Sequence, residues 1–224
     1  MDGNNRWAKR QGVASTVGHR AGVERVRDIL SACRDRGVKT LTLFAFSSEN
    51  WGRPQPEVRA LFALFYHYLR REVSKLNEDG VRLRFIGRRD RLNPQLVRLM
   101  EQSERLTAQN ERATLVLAVD FGGRWEMAEI AARLARKVVS DELTPEGITE
   151  RVFEAELRNG SVGPVDLCIR TGGEERVSNF LLWQLSYAEL YFTETLWPDF
   201  NAREFDVALQ AYAQRDRRFG VRPV

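Results

Sequence analysis

The feature that most constrains this chain is its alternation of short β-type runs with longer stretches of helical period. "VKTLTLFAF" (38–46), "VRLRFIG" (81–87), "TLVLAVDF" (114–121), "VDLCIRT" (165–171) and "AELYFT" (188–193) predict strands. Residues 19–36 place Val23, Val26, Ile29, Leu30 and Cys33 at helical spacing, with Gly37 as a C-terminal stop. Further helices are predicted over 56–79, after Asn93-Pro94 and over 123–139, with a short helical pair over 145–158. "NFLLWQLS" (179–186) reads as a short apolar helix, and Asn201 with Glu204 opens a last helix running toward Arg217. Such alternation predicts an α/β protein with a mostly parallel central sheet flanked by helices. No repeat, low-complexity segment or linker interrupts residues 1–224, so one domain is expected.

The 56–79 helix carries Val58, Leu61, Phe62, Leu64, Phe65, Tyr68, Leu69, Val73 and Leu76, a sector wider than one core-facing stripe needs. Either it is buried between two layers, or its second face lines an apolar channel. No stretch reaches the roughly 18 uncharged apolar residues of a membrane span. Cys33 and Cys168 lie inside apolar patterns and read as buried thiols of a reducing cytoplasm, not a disulfide. The net charge is +4, but the arginines are dispersed, not gathered into a stripe with exposed aromatics, which argues against a nucleic-acid partner.

In open parallel sheets, ligands bind beyond the carboxyl ends of the strands. There the sequence places "SSENWGRP" (47–54) and "GGEERVSN" (172–179), with Glu189 near the last strand. "DGNNRW" (2–7) takes an equivalent position if a strand precedes residue 1. Gly3, Asn4 and Asn5 suit a tight turn whose N–H groups face an anion. Arg6, His19, Arg53, Arg170 and Arg176 are cations, and Ser47, Ser48 and Ser178 are hydroxyl donors. That set suits two diphosphates. Asp2 and Glu189 alone are a thin cage for a metal, yet Mg²⁺ commonly takes one or two carboxylates plus phosphate oxygens and water. His19 beside Gly18 could equally cap a helix, and His67 reads as structural. Walker, GxGxxG, zinc-ligand and DDxxD patterns are absent.

Taken together, "MDGNNRWAKR", "GHRAG", "LTLFAFSSENWGRP", "GGRWE", "DLCIRTGGEERVSNFLLWQLSYAELYFTETLWPDF" and "RDRRFG" resemble the cis-prenyltransferase family, in its bacterial undecaprenyl diphosphate synthase branch, over residues 1 to 220. The resemblance implies a fold with an apolar tunnel. It implies repeated condensation of isopentenyl diphosphate onto an allylic diphosphate, usually farnesyl diphosphate, with Mg²⁺ as cofactor. An undecaprenyl product would serve cell-wall lipid carriers. It further implies a cytoplasmic homodimer that releases a membrane-associated product. A non-catalytic scaffold subunit of the same family is the alternative.

Carried over by resemblance, Asp2 is the essential acid working with Mg²⁺, and Glu189 a second metal ligand. Gly3, Asn4, Asn5 and Arg6 cradle the allylic diphosphate, with Trp7 and His19 nearby. Ser47, Ser48 and Glu49 contact substrate, Asn50 takes part in proton removal, and Trp51 and Arg53 flank it. Arg170, Arg176, Val177 and Ser178 match the isopentenyl diphosphate site. Arg218 and Gly220 belong to a C-terminal motif reaching across the dimer interface. Ala113 is expected near the tunnel floor. Ser15 stands where many relatives carry arginine, Glu175 where some carry histidine, and Asp120 where asparagine is usual. The family also has a buried strand immediately before "MDGN". Its absence from this sequence is expected to expose two sheet edges and leave Asp2 on a fraying end.

Overall fold

The computed structural model describes residues 1–160 and 162–217 of the chain. Helix α1 (Asn4–Arg10) leads into α2 (Ser15–Asp35), β1 (Thr40–Ser47) and a 3-10 turn at Ser48–Gly52. Then follow α3 (Gln55–Glu78), β2 (Val81–Ile86), α4 (Pro94–Thr107), β3 (Ala113–Phe121) and α5 (Gly123–Val139). The chain continues through α6 (Glu150–Gly160), β4 (Leu167–Arg170), β5 (Glu189–Phe192), a 3-10 turn at Trp197–Asp199 and α7 (Ala202–Ala213). All five expected strands are present, and every strand pairing is parallel.

The strands form two ladders, β1-β3-β2 and β4-β5. The middle strand β3 is buried at every residue except the half-buried Thr114, as a parallel strand covered on both faces should be. Its side chains alternate with period two. Leu115, Leu117 and Val119 face a core built with α2, α3, α4 and α7, while Val116 and Ala118 face a second core. Asp120 breaks the alternation. Its left-handed φ of 51° coincides with an irregular register to β1 and turns Phe121 into the second core. No ladder joins β1 to β4, yet Ile169 packs on the first core and Cys168 on the second, so β4 separates the same two layers.

Several local expectations are corrected. Residues 178–187 are a series of turns, not a helix, because Ser178, Asn179 and Leu181 have φ of 50°, 63° and 44°. Their apolar content is used in packing: Phe180 stacks on Phe44 at 4.5 Å, and Leu181 and Leu185 are buried. The expected turn at Gly3–Asn5 is instead the start of α1, with left-handed Gly3 (φ 107°) at its N-cap. Gly18 and Gly22 let α1 cross α2 closely. A Cβ at Gly18 would lie 2.1 Å from the Asn4 carbonyl oxygen, and one at Gly22 would lie 2.2 Å from Asn4 Oδ1. Cys33 is buried as expected, but Cys168 is only half-buried.

Helix α3 is not sandwiched between two layers. Only Val58, Leu69 and Glu72 are buried on it, while Leu61, Phe62, Phe65, Tyr66 and Leu76 pack on the first core and remain half-exposed. The surplus apolar face lines a cavity of about 460 Å³ between α3 and the start of α4, bounded by Trp51, Val58, Phe62, Tyr66, Arg91 and Leu96. His67, exposed on α3, also borders it.

Candidate active site

Asp2 is pinned, not frayed. Its backbone N–H donates to Thr171 Oγ1 at 3.0 Å, and its carbonyl accepts from the Thr171 hydroxyl and the Trp197 N–H. The carboxylate accepts from Arg170 Nε at 3.0 Å and is ion-paired with Nη2 at 2.9 Å, both on Oδ2. Arg170 ends β4 and is well covered, its side chain 16% exposed, whereas the Asp2 side chain is 44% exposed. The remaining Arg170 nitrogen donates to Ser178 Oγ at 2.8 Å and to the Arg176 carbonyl. One guanidinium therefore spans Asp2 and the 171–178 loop, a use of its fixed fork that a lysine could not match.

Glu174 anchors two further cations, Arg176 at 2.5 Å and Arg6 at 4.0 Å. Both arginines remain largely exposed, with side chains 63% and 47% accessible, so they can meet an anionic ligand from solvent. Val177 packs on the second core and holds the loop down. Glu175 is exposed.

The 47–53 segment is built around Ser47. The Ser47 N–H donates to Asn50 Oδ1 at 3.0 Å, and Ser47 Oγ accepts from the Glu49 N–H and donates to the Glu49 carboxylate. The Glu49 carboxyl is held below its ordinary range: partial burial opposes this, but bonds from Ser47 and Asn179 and the charge of Arg124 outweigh it. Ser48 donates to Asp120 Oδ1 at 3.2 Å. Asp120, fully buried, is also gripped by Arg91 at 2.9 and 2.5 Å, so the acid found where asparagine was expected is neutralised by an ion pair. Arg91 in turn lies over Trp51 at 5.4 Å, and Trp51 stacks on Phe62 at the cavity wall. Arg53 pairs with Glu57 at 3.2 Å. Nearby, the half-buried His19 has an Nε2 without a hydrogen-bond partner.

Other expected site residues point elsewhere. Asn4 Oδ1 is buried against α2 without a partner, and Trp7 Nε1 donates to Asp199 at 2.8 Å. Asn5 is exposed, and Ser15 Oγ is buried without a partner. Glu189 pairs in register with Leu167, whereas Arg170 pairs with Phe192. The two carboxylate-bearing regions thus sit at opposite ends of the β4-β5 ladder, roughly 10 Å apart along the strands. Glu189 is occupied by Arg215 at 2.7 Å. Among the described residues, no group of three His, Cys, Asp or Glu side chains is placed to hold a metal. Arg218 and Gly220 lie outside the described residues. A larger cavity of about 620 Å³, beside Arg88, Trp125 and Arg133, touches none of the expected site residues.

Sequence reasoning missed Glu174, Arg91 and Asn179. The first two are unremarkable members of a chain rich in charge. Asn179 sits inside a run otherwise read as an apolar helix.

The "Putative undecaprenyl diphosphate synthase" family model matches residues 1–220. The chain is 51% identical over 220 residues to ditrans,polycis-undecaprenyl-diphosphate synthase ((2E,6E)-farnesyl-diphosphate specific) of Pseudomonas putida, covering 98% of this chain and 88% of that one. The enzyme of the same name from Escherichia coli is 50% identical, with 98% and 87% covered. Lavandulyl diphosphate synthase from Lavandula x intermedia, solved in complex with dimethylallyl diphosphate, superposes with a TM-score of 0.94 at 37% identity, covering 98% of this chain and 95% of that one. A match of this extent, in sequence and in fold, makes the chain a member of the undecaprenyl diphosphate synthase family of cis-prenyltransferases.

Proposed function

We propose that this protein is a Mg²⁺-dependent cis-prenyltransferase, one catalytic domain that condenses isopentenyl diphosphate repeatedly onto farnesyl diphosphate to make undecaprenyl diphosphate. The observation that carries this reading is the Asp2 carboxylate, held through one oxygen by Arg170, together with Arg6 and Arg176 gathered on Glu174 of the loop that Arg170 fixes. Oδ1 accepts no hydrogen bond among the described residues, which leaves one oxygen for a ligand. Such a donor set fits Mg²⁺, which commonly binds one carboxylate plus phosphate oxygens and water. Bound there, the ion would neutralise charge on the departing diphosphate.

The chain's own residues supply the rest. Arg170, Arg176 and Ser178 hold the isopentenyl diphosphate, and Arg6 holds the allylic diphosphate. Fixed cations at the leaving group stabilise the charge that develops as its C–O bond breaks. The homoallylic double bond forms the new C–C bond, and a proton then leaves to restore neutrality. Asn50 Oδ1 is already engaged by the Ser47 N–H, so its Nδ2 is the atom left to orient substrate; the proton goes to diphosphate or water. The growing hydrocarbon enters the cavity between α3 and α4, passing Trp51 and Phe62.

Glu189, at the far end of the ladder from Asp2, is retained only as a candidate second ligand. The homodimer and a membrane-associated product follow from the same resemblance. No helix among the described residues is long and apolar enough to cross a membrane.

The test is incorporation of labelled isopentenyl diphosphate onto farnesyl diphosphate, with and without Mg²⁺, resolving product length. Mg²⁺-dependent products of about eleven isoprene units are expected. Folded protein that incorporates no label would instead support the scaffold reading.

A further inference from the structure

Asn179 makes contacts of unusual number and reach. Its backbone carbonyl accepts from the Gly123 N–H at 2.7 Å, and its Oδ1 accepts from the Arg124 N–H at 2.8 Å. Its Nδ2 donates to Glu49 Oε1 at 2.6 Å, across 130 residues of sequence. Both amide atoms and the carbonyl are therefore used, and this requires φ of 63°, a conformation asparagine tolerates better than most residues. The glycine pair at 122–123 is shaped to receive it. A Cβ at Gly122 would lie 2.8 Å from Asn179 Nδ2, and one at Gly123 would lie 2.8 Å from Leu182 Cγ. The first two N–H groups of α5, which could have met a phosphate, are filled by this residue, one by its backbone carbonyl and one by its side chain.

Ser178, the adjacent residue, accepts from Arg170, which holds Asp2. Glu49, at the other end, accepts from Ser47, whose N–H is capped by Asn50. A line of contacts thus runs from Asp2 through Arg170 to Ser178 by hydrogen bonds, across the peptide bond to Asn179, and by hydrogen bonds again through Glu49 and Ser47 to Asn50. Asn179 is its one link between the 171–178 loop and the 47–50 turn.

We propose that Asn179 is a positioning residue that sets the register between the loop holding isopentenyl diphosphate and the turn presenting Asn50. This rests on the prenyl-transfer reading above. The two reacting carbons must meet within a narrow distance, so a loop displaced by about 1 Å can cost on the order of 10²-fold in rate. Loss of this register lowers kcat more than it raises either KM.

The polarity of the Asn179–Glu49 bond can be reversed without altering its shape. Asn179→Asp replaces the donor by an acceptor and sets two carboxylates against each other. Glu49→Gln then supplies a donor in return, while its oxygen still accepts from Ser47. Wild type, N179D, E49Q and N179D/E49Q are compared by steady-state kinetics and thermal unfolding. N179D is expected to lower kcat at least about 10-fold with KM changed less than about 3-fold. In the E49Q background the same substitution should cost less than about 3-fold relative to E49Q alone.

A second readout is pH. The groups acting on the Glu49 carboxylate are Ser47 and the Glu49 N–H from its own turn, Asn179 itself, and Arg124 from α5. Two facing carboxylates share a proton as pH falls, so the N179D deficit, taken relative to wild type, should narrow between pH 8 and 5.5. A packing defect would leave that ratio constant. Inactive wild type would overturn the enzymatic reading. Active wild type with N179D unimpaired, or impaired equally at every pH and in both backgrounds, would overturn the role of Asn179.

Discussion

Arg170 grips Asp2 through two nitrogens on a single carboxylate oxygen, Nε at 3.0 Å and Nη2 at 2.9 Å from Oδ2. Its third nitrogen reaches Ser178 and the Arg176 carbonyl. Asp2 is thereby oriented without being consumed. The same cation also fixes the loop that carries Arg176, so Asp2 and the 171–178 loop are mechanically joined.

Replacing Arg170 by lysine should break that joint. A single ammonium cannot keep the forked contact to Asp2 and the contact to Ser178 together. Charge-assisted hydrogen bonds are worth about 1.5–3 kcal/mol each, so kcat/KM should fall on the order of 10–100-fold. Steady-state kinetics with both substrates varied would check this; an unchanged kcat/KM would remove Arg170 from the site.

Asn50 separates two roles by substitution. Asn50→Ala loses both the cap on Ser47 N–H and the free amide donor, and kcat should drop at least about 100-fold with little change in substrate binding. Asn50→Asp keeps an acceptor for the Ser47 N–H and should unfold within a few degrees of wild type. Its kcat should still be low, because the Nδ2 donor is gone. Near-wild-type turnover in either variant would exclude the role.

Ala113 opens β3, pairs in register with Val81 and is 4% exposed in the first core, at the end of β3 remote from Asp120. Ala113→Leu should shorten the product by one or more isoprene units, read by chromatography of the dephosphorylated products. If the position is merely packed core, the added carbons would instead cost about 1–3 kcal/mol of stability with product length unchanged. Thermal unfolding measured alongside distinguishes the two results.

His19 should leave a mark on stability against pH. Burial and then the charge of Arg53 hold its imidazole below the usual value, with Glu57 opposing. The unfolded chain therefore takes up the proton first. Stability is highest above about pH 6.5 and falls as pH drops below that value, until the folded imidazole is itself protonated. Between pH 7 and 5, Tm of the wild type should decline more than Tm of His19→Gln. Parallel declines would mean that His19 contributes nothing to acid sensitivity in that window.

Periodicity and composition by themselves located all five strands and the long helices, because β-branched runs and the 3.6-residue period are properties of a dozen neighbouring residues. They also marked α3 as too apolar for a single stripe, and the cavity beside Phe62 and Tyr66 is the consequence. The long motifs were enough to place the chain in its family. Tertiary structure decided what local pattern cannot carry. "NFLLWQLS" has helical composition, yet three left-handed residues at 178, 179 and 181 unwind it so that Asn179 can reach Glu49. Asn4, which reads as a phosphate cradle, is turned into α2, and Glu189 lies a ladder's length from Asp2. These outcomes depend on contacts between residues far apart in the chain. Such contacts depend on how the helices and loops pack over the strands, a relation that no window of sequence contains.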